Sequence, residues 1–102
     1  MIRIIVASLL AVVSAEALAT GDVAAGKSKA IACVGCHGVN GKAMAPNFPS
    51  LAGQNAGYLE GVLKAYKSKE RKGYQAAIMY GMAAGLSDDD IVNISAYYSS
   101  LK

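Results

Sequence analysis

Two cysteines separated by two residues and followed at once by the only histidine constrain this chain more than any other feature: Cys33-Val34-Gly35-Cys36-His37. No other cysteine exists, so a disulfide framework is excluded. The chain has 102 residues, enough for one small domain. A core of that size rarely supplies more than about 3–5 kcal/mol unaided. Small folds then lean on disulfides, metals or covalently held groups, and here any such staple must run through this motif.

Four chemistries compete for it. A redox dithiol needs a strand–helix setting and a low-pKa thiol, and no strand-like alternation precedes Cys33. Zinc wants four protein ligands, or three plus water, and two Cys with one His are all the chain offers. A disulfide across two residues closes almost no loop and stabilises little. The fourth chemistry fits. Two thiols at this spacing can add to the two vinyl groups of one haem, and the adjacent imidazole then lies under the iron. Three attachments within five residues prevent the group from tilting or leaving. One covalent haem c is expected, bonded to Cys33 and Cys36, with His37 on the iron.

The second axial ligand cannot be another histidine. Of the four methionines, Met1 falls in the leader described below. Met44 lies seven residues after His37 and two before Pro46, too close to cross to the other haem face. Met79 and Met82 remain, far enough along the chain to wrap round the group. A thioether opposite imidazole raises the reduction potential, because soft sulfur favours ferrous iron.

Residues 1–19 read as a secretory signal peptide: Arg3, an apolar run from Ile4 to Val13 broken only by Ser8, then Ala17-Leu18-Ala19 as a cleavage site. The run is short of the roughly 20 apolar residues of a membrane span. The mature domain is then residues 20–102, with nine Lys and Arg against six Asp and Glu. That excess is too small and scattered for nucleic-acid binding. Export to the periplasm agrees with the motif, since bacterial c-type haem attachment occurs outside the cytoplasm.

The mature domain shows no repeat and no confident strand, only helical periods joined by Gly- and Pro-bearing loops. A first helix is predicted from an Asp22 cap through about Val34, with Gly26 inside it marking close approach of another element. Residues 38–54 read as a loop, rich in Gly and Pro. A second helix is expected from Asn55 to Lys67, with Tyr58, Leu59, Val62, Leu63 and Tyr66 on one face. A short helix is expected over Tyr74–Met79. A last helix follows the Ser87 cap, with Asp90 completing a capping box and Ile91, Ile94, Tyr98 and Leu101 as its apolar stripe.

Ordered blocks on either side of the motif extend the pattern: Gly21-Asp22 with Gly26-Lys27, Pro46-Asn47-Phe48-Pro49, Leu51-Ala52-Gly53-Gln54, Ile78-Met79 with Gly81-Met82-Ala83, and Ala96-Tyr97-Tyr98. In these the mature chain resembles the class I c-type cytochromes, above all the compact bacterial monohaem type, which is similar to one half of the periplasmic dihaem cytochromes. The resemblance implies an all-α cytochrome c fold, about four short helices wrapped round one covalent haem. It implies Met79 as the axial thioether, with Met82 as the alternative. It implies that the Pro46 carbonyl accepts from the His37 imidazole, that Gly26 and Tyr97 meet where first and last helices cross, and that Arg71 contacts a haem propionate. Val62 and Lys69 depart from the family around the second helix.

The expected function is soluble one-electron transfer in a respiratory chain, without substrate turnover, by a monomer that meets oxidase, peroxidase or reductase partners, including membrane complexes at their periphery. Lys64, Lys67, Lys69, Arg71 and Lys72 form a basic cluster that can serve as a solvated helix end or a docking face. The alternative is a gas-binding haem protein with a labile sixth site, which requires that neither Met79 nor Met82 holds the iron.

Overall fold

The computed structural model describes residues 21–102. The signal peptide assigned to residues 1–19 lies outside the described residues. Five helices make up the fold: α1 (Val23–Lys29), α2 (Val34–His37), α3 (Ala56–Lys67), α4 (Ala76–Ala84) and α5 (Asp88–Ser100), with a 3-10 turn at Ala30–Cys33 between α1 and α2. Among the described residues no strand occurs.

Asp22 begins α1 by accepting from the Ala25 N–H at 3.0 Å. The predicted helix does not continue uniformly to Val34. It tightens at Ala30–Cys33 and re-forms for one turn at Val34–His37. Gly38 then stops the winding with φ 87, a conformation that costs glycine nothing. Helical winding through this stretch matters for chemistry, because residues three apart share a face. Cys33 and Cys36 are such a pair.

Close approach of α1 and α5 is written into two glycines. A Cβ on Gly26 would stand 1.9 Å from the Asn93 carbonyl oxygen and 2.9 Å from Tyr97 Cβ, and one on Gly21 would stand 2.3 Å from the Val92 carbonyl oxygen. The expected meeting of Gly26 and Tyr97 is therefore present. Asn93 Oδ1 accepts from the Asp22 N–H at 2.8 Å, and Lys29 pairs with Asp90 at 3.5 Å. The start of α5 carries the expected capping box. Ser87 Oγ accepts from the Asp90 N–H at 3.0 Å, and Asp90 Oδ2 accepts from the Ser87 N–H at 2.9 Å.

Asn55 caps α3, its side chain accepting from the Tyr58 N–H at 3.0 Å. Helix α4 differs from expectation. It starts two residues later than Tyr74 and runs five residues beyond Met79. Gln75 precedes it in a left-handed conformation with φ 62 and offers no side-chain cap. Leu59, Ile94, Tyr97 and Tyr98 with Ala30 make the buried centre, and Cys33, Leu51, Leu63, Leu86 and Leu101 pack against them. The loop between α2 and α3 is pinned to this centre: the Gly41 carbonyl accepts from the Leu51 and Ala52 N–H groups at 2.7 and 2.9 Å, and the Tyr98 carbonyl accepts from the Gly53 N–H at 2.9 Å.

Candidate functional site

The core does not close. A cavity of about 290 Å³ opens between α2, the following loop, α3, α4 and α5, and Cys33, Cys36, His37, Met79 and Met82 all line it. A second crevice of about 240 Å³ shares Cys33, Met79 and Met82 with the first. The apolar part of the wall includes Phe48, Leu51, Leu59, Leu63, Ile78 and Ile94.

His37 is 7% exposed. Its Nδ1 lies 2.7 Å from the Pro49 carbonyl oxygen. A carbonyl can only accept, so Nδ1 carries the proton and donates it, leaving the Nε2 lone pair for a metal. This corrects the expected partner, Pro46. Pro46 occupies the second position of a turn closed by the Phe48 N–H on the Ala45 carbonyl at 3.2 Å, the place where proline's fixed φ suits a turn best. Pro49 leaves that turn directly before the amides of Leu51 and Ala52 that are pinned to Gly41. It lines the cavity and Pro46 does not.

Cys33 and Cys36 are half-buried and unpaired. Burial pushes the Cys33 thiol up, the nearby Tyr98 hydroxyl opposes this, and Cys36 adds to it. A raised thiol is the reverse of the activated one that a redox dithiol requires. Among the described residues no three His, Cys, Asp or Glu side chains gather as a metal cluster. The Tyr98 hydroxyl, in the same wall, is buried without a hydrogen-bond partner, and burial, followed by Cys33, holds its pKa well above the usual range.

Met79 is half-buried and Met82 is 41% exposed, while Met44 is 99% exposed and away from the cavity. Arg71 also lines the cavity. Its Nε donates to the Tyr66 hydroxyl at 3.1 Å, an interaction that raises the guanidinium pKa further.

These features suit a haem: two unpaired sulfurs one helical turn apart, an imidazole with Nε2 free, and thioethers on another helix of one apolar cavity. The sequence profile described as Cytochrome c matches residues 23–102. The chain belongs to the cytochrome c family. It is 56% identical over 80 residues to cytochrome c-554(548) of Halomonas halodenitrificans, covering 78% of this chain and 96% of that protein. It is 44% identical over 84 residues to cytochrome c4 of Pseudomonas aeruginosa, covering 82% of this chain and 40% of that protein. The crystal structure of reduced recombinant cytochrome c4 from Pseudomonas stutzeri superposes with a TM-score of 0.73 at 44% identity, over 80% of this chain and 46% of that one. The chain thus spans about half the length of the c4 relatives and matches one half of these dihaem proteins. As a family member with the Cys33/Cys36 motif, it carries one covalent haem c.

Pro49, Tyr98 and the Tyr66–Arg71 pair are the residues that sequence reasoning missed or misplaced.

Proposed function

We propose that this cytochrome is a periplasmic one-electron carrier whose iron is held by His37 and Met79. The observation that carries the reading is one apolar cavity lined by both thiols, by His37 with Nδ1–H engaged, and by a half-buried thioether. The haem supplies reversible ferric–ferrous chemistry. Everything else is the work of the chain. Cys33 and Cys36 fix the group in place. The Pro49 carbonyl orients the imidazole and strengthens it as a ligand. Leu59, Leu63, Ile78 and Ile94 keep water away, which disfavours the extra charge of ferric iron, and a thioether ligand shifts the balance the same way. Met79 is preferred over Met82 because it is the less exposed of the two. Arg71, on the cavity rim, would face the acidic edge of the group.

With His37 and Met79 both holding the iron, no position on it would remain for a substrate, so the chain would act as a carrier with redox proteins as its partners. Lys64, Lys67, Lys69, Arg71 and Lys72 are all exposed, and Arg71 lines the cavity. The one ion pair among the described residues, Lys29–Asp90, lies elsewhere. This net-basic patch, with Glu70 as its one acidic member, would steer an acidic partner.

The test is an absorption spectrum of the purified ferric protein beside Met79→Ala and Met82→Leu. A low-spin form with a sulfur-to-iron charge-transfer band is expected for the wild type and for Met82→Leu. Its loss is expected for Met79→Ala alone. A high-spin wild-type spectrum would instead favour the labile-site alternative.

A further inference from the structure

Helix α4 carries both candidate thioethers, yet it is poorly anchored by the usual means. It is apolar throughout, Ala76-Ala77-Ile78-Met79-Tyr80-Gly81-Met82-Ala83-Ala84. It has no side-chain N-cap, whereas α1, α3 and α5 each have one. It packs chiefly on α3. Apolar packing alone specifies helix rotation weakly when every face is apolar. On an ideal helix Met79 and Met82 stand about 60° apart in azimuth and about 4.5 Å apart in height. A modest slide and roll of α4 would therefore exchange one for the other.

Polar tethers restrain that movement. The Tyr80 hydroxyl donates to the Arg71 carbonyl. Arg71 is itself fixed to α3: its N–H donates to the Ala65 carbonyl at 3.2 Å, and its Nε donates to the Tyr66 hydroxyl at 3.1 Å. The Tyr66 and Tyr80 rings pack at 6.2 Å between centroids. At the far end of α4, Lys67 Nζ donates to the Leu86 carbonyl. Tyr80 adjoins Met79 in sequence, so fixing its hydroxyl fixes the azimuth of Met79.

We propose that Tyr66, Arg71 and Tyr80 form a clamp between α3 and α4 that sets the register of α4 and so presents Met79, not Met82, to the iron. In this role Tyr80 is a positioning residue: it acts on the iron only through Met79. The inference rests on the reading of Met79 as the axial ligand.

The experiment is imidazole titration of the ferric holoprotein, followed through the sulfur-to-iron band, for wild type, Tyr80→Phe, Tyr66→Phe and Met79→Ala. Tyr80→Phe keeps the ring and removes one hydroxyl. It should bind imidazole about tenfold more tightly, the order of effect that one ordinary hydrogen bond exerts. Tyr66→Phe should shift in the same direction by a smaller factor, and it decides the matter if Tyr80→Phe fails to mature. A merely structural hydroxyl would lower the denaturation midpoint and leave the imidazole affinity of the folded protein unchanged, and that result overturns the clamp. If Met79→Ala retains the sulfur band, the ligand assignment itself is wrong, a failure distinct from wild-type imidazole binding in the tyrosine variants.

Discussion

Where α1 crosses α5, main chain lies against main chain: Gly21 and Gly26 leave no room for a side chain, and Asn93 and Asp90 reach across. Where α4 lies on α3, the Tyr80 phenol and the Lys67 ammonium reach main-chain carbonyls across the gap, and Ile78 and Met82 remain about half exposed. The first contact is complete within the polypeptide. The second surrounds a cavity and is finished by what fills it. Close packing tolerates no added volume, whereas a tethered helix beside a void can shift. The crossing therefore sets the frame, and the proposed sixth ligand rides on the α3–α4 side.

The largest blow to this contrast would come from Gly26→Ala. The new methyl would stand 1.9 Å from a carbonyl oxygen that belongs to a helix, so backbone must move. A loss of about 3 kcal/mol is expected, read as a lower chemical-denaturation midpoint of the holoprotein; a loss below about 1 kcal/mol would mean that the crossing is softer than described. Next in size is Ser87→Ala, which removes one half of the capping box that begins α5 and should cost about 1 kcal/mol by the same measurement.

The partner half of that box is pH-sensitive. The backbone N–H of Ser87, with smaller help from the Ser87 side chain and Lys29, holds the Asp90 carboxyl below its usual range. A depressed carboxyl stabilises the fold above its unfolded pKa, and that contribution fades as pH falls through the folded value. Asp90→Asn should therefore flatten the acid limb of the stability profile below about pH 4, where an ordinary aspartate titrates. An unchanged limb would remove Asp90 from the account.

On the other side, Gly81→Ala meets nothing within 4 Å and should stabilise by up to about 1 kcal/mol through helix propensity, the opposite sign to Gly26→Ala. Smallest in stability is Lys64→Gln with Lys69→Gln, expected within about 0.5 kcal/mol. The same pair should slow electron transfer to an acidic partner at low salt and lose that effect at high salt; salt-independent rates would leave the patch as a solvated surface.

The reach of sequence reasoning follows the same division. Cys33, Cys36 and His37, the Asp22 and Ser87 caps, and the close approach at Gly26 were legible because each leaves a local mark: a fixed spacing, a capping residue, or a glycine inside a helix. The bounds of α4 were not, since Gln75 is no recognisable cap and an apolar segment without a polar face has no period to read. The resemblance pointed to Pro46, and not to Pro49, because the partner of His37 depends on where the loop returns to the core, which is set by the Gly41 and Tyr98 carbonyls. The tethers of α4 were invisible for a similar reason. Tyr80 and Lys67 bond to main-chain carbonyls, and any sequence offers those everywhere.

Cys33, Cys36 and His37 lie in the 3-10 turn and α2 that continue α1, while Met79 rides on α4. The covalent links of Cys33 and Cys36 thus sit on the stiff wall, and the iron ligand proposed for Met79 sits on the yielding wall. Warming should then proceed in two stages. The reddish sulfur signature fades first, while far-ultraviolet dichroism still reports an intact bundle. The pigment itself never escapes, so cooling restores the original colour.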